Sequence, residues 1–360
     1  TKWAEPLTMG KALPEVMRRA FSQLKNGRPG PVLLELPMDV LNEEVPEGWE
    51  HEPVVPSRTG PDPADVERAA AVLAAAENPV IYAGQGVHYA EAWPELKALA
   101  EAWNIPVTTS LEGKSAFPEN HPLSLGSGGR ANPRPVKQFL EEADVILGIG
   151  CSFALTAFGV AMPKGKTIIH ATLDPMDVNK DIPAQYAMVG DAKLTLQGLL
   201  DAMDGHDRSP ANGRKNVSER IASIREEWLA EWMPKLTSDA TPLNPYRVLH
   251  ELQQVVDIDN TIITHDAGSP RDQLTPFWSS TTPLSYIGWG KTTQLGYGLG
   301  LAMGAKLARP DKLCINVWGD AAIGFTGIDF ETAVRERIPI LSILLNNFSM
   351  AIELPIMQVA

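Results

Sequence analysis

The stretch WGDAAIGFTGIDFETAVRERIPILSILLNN, residues 318–347, decides how the chain is read. It links two apolar runs, LCINVW and IPILSILL, and each run stops abruptly at polar groups. The first stops at Asp320 and the second at the pair Asn346-Asn347. Between them, IDFETAVRER has the composition of a crossover helix. Two strands joined by one such helix lie parallel and side by side. Ligands of parallel α/β sheets gather outside the carboxyl ends of the strands. Asp320 and Asn347 can therefore offer oxygen to one point, a donor set that suits a hard cation such as Mg²⁺ bridging to phosphate. Gly319, Ala321, Ala322 and Gly324 leave room there for backbone N–H groups to approach an anion. The competing reading is ordinary turn chemistry, since Asp and Asn also cap helices and start turns.

Working outward, the same alternation recurs. Residues 10–24 have helical spacing, with Leu13, Val16, Met17, Ala20 and Phe21 on one face. A turn NGRPGP and a buried strand VLLEL follow. The segment LNEEVPEGWEHEPVVPSRTGPDP has no periodicity and reads as a linker. From Asp62, a plausible helix cap, strands VIYA, IPVTTS, DVILGIG and KTIIHATLD alternate with helical segments up to AKLTLQGLLDAM. After a polar helical stretch, the strand TIITHDAG, the helix TTQLGYGLGLAMGAKLA and the two runs above repeat the pattern. The fold class expected is α/β, with doubly wound parallel sheets in successive domains. The units expected are 1–48, a linker 49–63, a central domain 64–204, a helical linker 205–240 and a last domain 241–360. The first and last are expected to be pieces of larger domains.

The 360 residues are 44% hydrophobic and 21% charged, an ordinary globular composition. A formal charge of -13 argues against nucleic acid and anionic membrane surfaces as partners. No apolar run approaches the roughly 20 residues that span a bilayer. Cys151 and Cys314, the only cysteines, sit in apolar surroundings and read as reduced core residues, which suits a cytoplasmic setting.

Four stretches, in order, carry a resemblance to a known family. GDAAIGFTGIDFETAVRERIPILSILLNN resembles the thiamine diphosphate signature, which opens Gly-Asp-Gly and closes Asn-Asn. GRPGPVLLELPMDVL resembles the end of that family's pyrimidine-binding domain. DVILGIG with IIHATLDPMDVNKDIPAQYAMVGDAKLTLQGLL resembles its Rossmann-like central domain. TTQLGYGLGLAMGAKLARP resembles the segment that bends the cofactor. The likeness is greatest to the acetohydroxyacid (acetolactate) synthase branch.

The resemblance implies thiamine diphosphate and Mg²⁺ as cofactors. The metal would be held by Asp320, Asn347 and the backbone carbonyl of Ser349. Leu295 would sit under the cofactor, and Thr293 with the Leu295 backbone would hydrogen-bond its pyrimidine. Ala267, Gly268 and Ser269 would line the diphosphate, together with Gly319, Ala321 and Ala322. It further implies a 2-oxo acid substrate, carboligation or simple decarboxylation, and a homodimer or homotetramer. The family's activating glutamate is expected upstream of Thr1, so the catalytic residue is unknown. A C–C lyase or hydrolase of the same family, and a non-catalytic nucleotide-binding homologue, are the alternatives.

Three departures stand out. Ala321 replaces the signature's second glycine. Pro270 stands where the synthases often place a histidine, with Arg271 beside it. The stretch GIGCSFALTAFG, where the synthases carry a charged flavin motif, holds no charge, which counts against FAD. AGQGVHYAEAW has Gly84 and Gly86 but Tyr89 at the third fingerprint position, so a plain strand-helix turn is favoured there over a dinucleotide site. Among the histidines His88, His121, His170 and His265, only His265 lies beside an expected site strand.

Overall fold

The computed structural model describes residues 1–50, 52–290 and 294–350. Its three sheets are all parallel, as the alternation implies. At the start, β1 (Trp3–Pro6) pairs with β2 (Val32–Glu35), joined by α1 (Leu13–Lys25). Arg28 Nη1 ties this unit to the next part of the chain by reaching Asp177 Oδ2 at 2.7 Å.

The central unit begins with α2 (Pro63–Ala75), whose first turn is capped by Asp62 accepting from the Ala64 N–H. There follow β3 (Val80–Ala83), α3 (Gly86–Tyr89), α4 (Trp93–Trp103), β4 (Val107–Thr109), β5 (Ser124–Ser127) and α5 (Arg134–Glu142). Then come β6 (Val145–Ile149), β7 (Thr167–Thr172), β8 (Tyr186–Val189) and α6 (Ala192–Met203). Strand order β5-β4-β3-β6-β7-β8 makes the sheet doubly wound, with its switch point between β3 and β6. Successive side chains alternate between faces. Ile81, Ala83, Leu147 and Ile149 pack under α2, α4 and α6, while Val80, Tyr82 and Ile146 pack under α5.

A short α7 (Ser209–Gly213) leads to α8 (Val217–Leu236), which lies along α5 and sends Ile221 and Ile224 into the second face. Its far end meets α9 (Pro245–Val255) through Trp228, Trp232 and Tyr246, all packed around Phe277. The last unit holds β9 (Thr261–His265), α10 (Ser269–Phe277), β10 (Tyr286–Ile287), α11 (Tyr297–Ala308), β11 (Leu313–Gly319), α12 (Asp320–Thr326), α13 (Phe330–Arg335) and β12 (Leu341–Leu345). Its sheet runs β10-β9-β11-β12, which makes β12 the outermost strand among the described residues.

Where the elements differ from expectation, the causes are local. The helix expected from Thr292 starts at Tyr297, because Gly296 has φ of +92° and breaks helical geometry. Strands β1, β5, β8 and β10 are two to four residues long, too short for periodicity to reveal. Gly84 and Gly86 form a strand-helix turn, as expected, and the turn has a packing reason. A Cβ on Gly84 would collide with the carbonyl oxygen of Gly150 and with Cys151.

Central and last units are joined by a buried ion pair. Lys114 Nζ donates to Glu119 Oε1 at 2.6 Å, and both side chains are almost fully enclosed. Glu119 also accepts from Ser127 Oγ at 2.8 Å and from the Ser280 backbone N–H at 2.8 Å. Its own N–H donates to the Ser280 carbonyl, and the Lys114 ammonium lies 5.1 Å from the centre of the Tyr286 ring. A buried pair of this kind costs most when only one partner is removed.

Two outcomes are expected in denaturant unfolding. Gly84→Ala should lower stability by about 1–3 kcal/mol, since backbone rather than a flexible side chain must move aside. Lys114→Met should cost about 3–5 kcal/mol, and the double variant Lys114→Met/Glu119→Gln should recover much of that loss.

Candidate functional site

Parallel pairing puts the carboxyl ends of β9, β11 and β12 in one row. At the end of β11, a Cβ on Gly319 would come within 3.9 Å of Pro270, which follows the Ala267–Gly268–Ser269 loop of β9. Asp320 opens α12 and uses Oδ1 to accept from the Ala321 N–H at 2.8 Å. Its other oxygen, Oδ2, accepts from the Ser349 N–H at 3.0 Å, and Asn347 Oδ1 accepts from the same N–H at 3.1 Å. One backbone donor thus gathers the carboxylate and the amide oxygen from neighbouring strands. Phe348, between the two, has φ of +54°, and its N–H donates to Asn346 Oδ1 at 2.9 Å. The turn is folded so that the Ser349 N–H faces both acceptors.

The signature's missing glycine has no structural cost here. Ala321 lies inside α12 and is not among the positive-φ residues. Ala322 is buried in an apolar cluster with Leu299, Met303 and Trp318, against which Leu295 packs from the turn before α11. Gly324 has open space around it. Gly268, with φ of +84°, precedes α10, and Ser269 is that helix's first residue. Pro270 occupies a first-turn position where its lack of an N–H is harmless. Arg271 is buried, with Nε donating to Asp272 and its guanidinium 4.4 Å from the centre of the Phe158 ring. Thr293 lies outside the described residues.

A residue not singled out from the sequence, Asp266, holds the row together. Its buried carboxylate accepts from Ala267 N–H at 2.9 Å, from Gly296 N–H at 2.9 and 3.0 Å, and from Gly298 N–H at 3.1 Å. Burial raises its pKa, and the three N–H groups pull it back down. The signal was a polar residue closing an apolar run, the same one that marked Asp320. His265, beside it, is also enclosed. Its Nδ1 lies 3.0 Å from the Asp266 carbonyl and 3.3 Å from the Tyr297 hydroxyl. Gly288 packs directly on its Nε2 edge. Burial pushes its imidazole down to about 4, with Arg271 and Lys114 adding to the effect and the Asp266 carbonyl opposing it. His265 is a neutral core group at physiological pH.

Among the described residues, no three His, Cys, Asp or Glu side chains cluster as metal ligands. One carboxylate and one amide oxygen nevertheless fit Mg²⁺, which keeps waters and shares its shell with phosphates. A separate cavity of about 510 Å³ opens at the switch point of the central sheet, where Gly86, Gly150 and Asp174 line it. Its cations, Lys25, Arg28 and Arg58, come from earlier in the chain rather than from GIGCSFALTAFG.

Residues 66–199 match the pattern described as "Thiamine pyrophosphate enzyme, central domain". Residues 266–353 match "Thiamine pyrophosphate enzyme, C-terminal TPP binding domain". The chain belongs to the thiamine pyrophosphate enzyme family. It is 32% identical over 351 residues to a probable acetolactate synthase large subunit of Methanococcus aeolicus, covering 93% of this chain and 58% of that protein. It is 33% identical over 350 residues to the counterpart in Methanocaldococcus jannaschii, with 93% and 58% covered. With the acetolactate synthase isozyme 3 large subunit of Escherichia coli the identity is 30% over 344 residues, covering 93% and 59%. The chain thus spans rather more than half the length of the curated relatives it matches. Among the described residues, no helix is long and apolar enough to cross a membrane.

His265 gives a pH prediction for this thiamine pyrophosphate enzyme. Folded, the imidazole stays neutral to about pH 4, whereas the unfolded chain protonates near the ordinary value of 6.5. Its contribution is therefore fully present above pH 6.5 and is lost as pH falls toward 4. Urea unfolding at stepped pH should show a fall of up to about 3 kcal/mol across that window. His265→Gln should lack this portion of the slope.

Proposed function

We propose that the chain supplies the central and diphosphate-binding parts of a thiamine diphosphate- and Mg²⁺-dependent carboligase acting on 2-oxo acids, similar to acetolactate synthase. The observation that carries the reading is the meeting of Asp320 Oδ2 and Asn347 Oδ1 on the Ser349 N–H, inside the segment that matches the cofactor-binding domain. In this reading Asp320, Asn347 and the Ser349 carbonyl ligate the metal. Gly319, Ala321 and Ala322 face the diphosphate by their backbones, as do Ala267, Gly268 and Ser269. Leu295 supports the cofactor from below, braced by the cluster of Leu299 and Ala322. Thr293 is assigned, with the Leu295 backbone, to the pyrimidine side. The bound cofactor supplies an electron sink next to the substrate carbonyl.

This chain's own residues hold, orient and shield. His265 on β9 and Tyr286 on the neighbouring β10 are buried beside the site. No residue of this chain is assigned to activating the cofactor, and the complete site is assigned to a homodimer or homotetramer. The units proposed are 1–48, 64–204 and 241–360, joined by linkers. The two buried free thiols suit a reducing, cytoplasmic compartment. Simple decarboxylation of a 2-oxo acid is the second reading.

Calorimetric titration of thiamine diphosphate tests the proposal. Binding is expected with Mg²⁺ and not with EDTA. Asp320→Ala/Asn347→Ala should weaken it by roughly a hundredfold or more, since both charge-bearing and amide oxygens at the metal are lost. A parent chain that binds no thiamine diphosphate at all, yet binds a nucleotide, would overturn the proposal in favour of a non-catalytic binding protein.

A further inference from the structure

We infer that Asp266 is a positioning residue that locks the turn carrying Leu295 to the loop Ala267–Ser269, so that the two halves of the cofactor site form one rigid body. The inference rests on the cofactor reading above. Two loops that must act together here are some 30 residues apart in sequence, and their register is not fixed by a shared element. One leaves β9, and the other precedes α11.

The Asp266 carboxylate bridges them. Oδ1 accepts from Ala267 N–H on the first loop and from Gly296 N–H on the second, each at 2.9 Å. Oδ2 accepts from Gly296 N–H at 3.0 Å and Gly298 N–H at 3.1 Å. The same turn is held on its other side, where Thr326 Oγ1 donates to the Gly296 carbonyl at 2.7 Å. Space around the turn is equally restricted. A Cβ on Gly296 would meet Thr326 Cγ2 at 2.8 Å, and one on Gly298 would meet the His265 carbonyl oxygen at 2.9 Å. Leu295 immediately precedes this doubly clamped point.

A carboxylate is the only small side chain that can do this. It is acceptor-only, with two oxygens for three N–H groups. Asparagine keeps the shape but must aim an NH₂ at one of those N–H groups, whichever way it is turned. Asp266 itself is fully enclosed, so it acts through Leu295 and the Ala267–Ser269 loop. The simpler alternative is that Asp266 only caps α11. A cap alone would stabilise the fold without linking two ligand-facing loops.

Two ligands separate these cases, each titrated with Mg²⁺ into the full chain. Inorganic pyrophosphate engages only the strand-end loops, whereas thiamine diphosphate also rests on the Leu295 turn. Asp266→Asn should weaken thiamine diphosphate roughly ten- to hundredfold, the loss expected for charge-assisted hydrogen bonds. It should weaken pyrophosphate by a smaller factor, about threefold, because only one of the three N–H groups that Asp266 holds, that of Ala267, belongs to a loop that pyrophosphate reaches. Equal losses for both ligands, or no loss for either, would overturn the inference. If Asp266→Asn does not fold, Thr326→Val loosens the other side of the same turn. It should show a smaller loss confined to thiamine diphosphate, and loss of neither or both alike overturns the inference just as well. A parent chain that binds no thiamine diphosphate removes the cofactor reading and this inference together. Normal parent binding with unaltered variants removes only the inference.

Discussion

Parallel pairing of β9, β11 and β12 is the constraint on which the site depends. Because the three strands point the same way, residues that close three separate apolar runs arrive at one edge. Asp266, Asp320 and Asn347 are brought there by backbone registry rather than by contact with one another in sequence. The registry is held from both faces. Ile263, Ile315 and Val317 pack toward α9 and α10, and Ile262 and Cys314 pack toward α11. Burial on both faces is what allows a sheet to be wholly parallel, because its slanted hydrogen bonds then have no competition from water.

That edge was legible in the sequence to the extent that its signals were local. LCINVW and IPILSILL are long enough to read as buried strands, and the polar residues after them mark their ends. The parallel, doubly wound class also follows from alternation, whereas the strand order does not. Short strands escaped because four residues such as Ser124–Ser127, or two such as Tyr286–Ile287, carry no measurable period. Helix α10 was not expected from the sequence; it holds two prolines, Pro270 in the first turn, where a missing N–H is harmless, and Pro276 near its end. The site residues divide in the same manner. Asp320 and Asn347 announce themselves, whereas the role of Asp266 depends on N–H groups at positions 296 and 298. No pattern within its own strand points there.

The Lys114–Glu119 pair shows a further limit of the same sort. In sequence it is an unremarkable Lys and Glu in a glycine- and proline-rich loop. Only the fold encloses it, between the loop after β4 and the segment before β10. Its desolvation lowers the lysine's pKa while the carboxylate opposes that shift. Ser280 supplies an N–H to the carboxylate at 2.8 Å. The neutral state of His265 belongs to the same enclosure, since Lys114 and Arg271 both act on it.

The position of β12 has a consequence for handling the isolated chain. Among the described residues no strand pairs with its outer side, and its Leu341 and Leu344 are each about 40% exposed. Phe348 and Ile328 are exposed apolar side chains as well. A flat, greasy border strand of this kind is a template for any extended peptide that meets it. Colloidal behaviour in dilute buffer will therefore be governed by what covers that border, and detergent or high protein concentration will change the apparent assembly before either changes the fold.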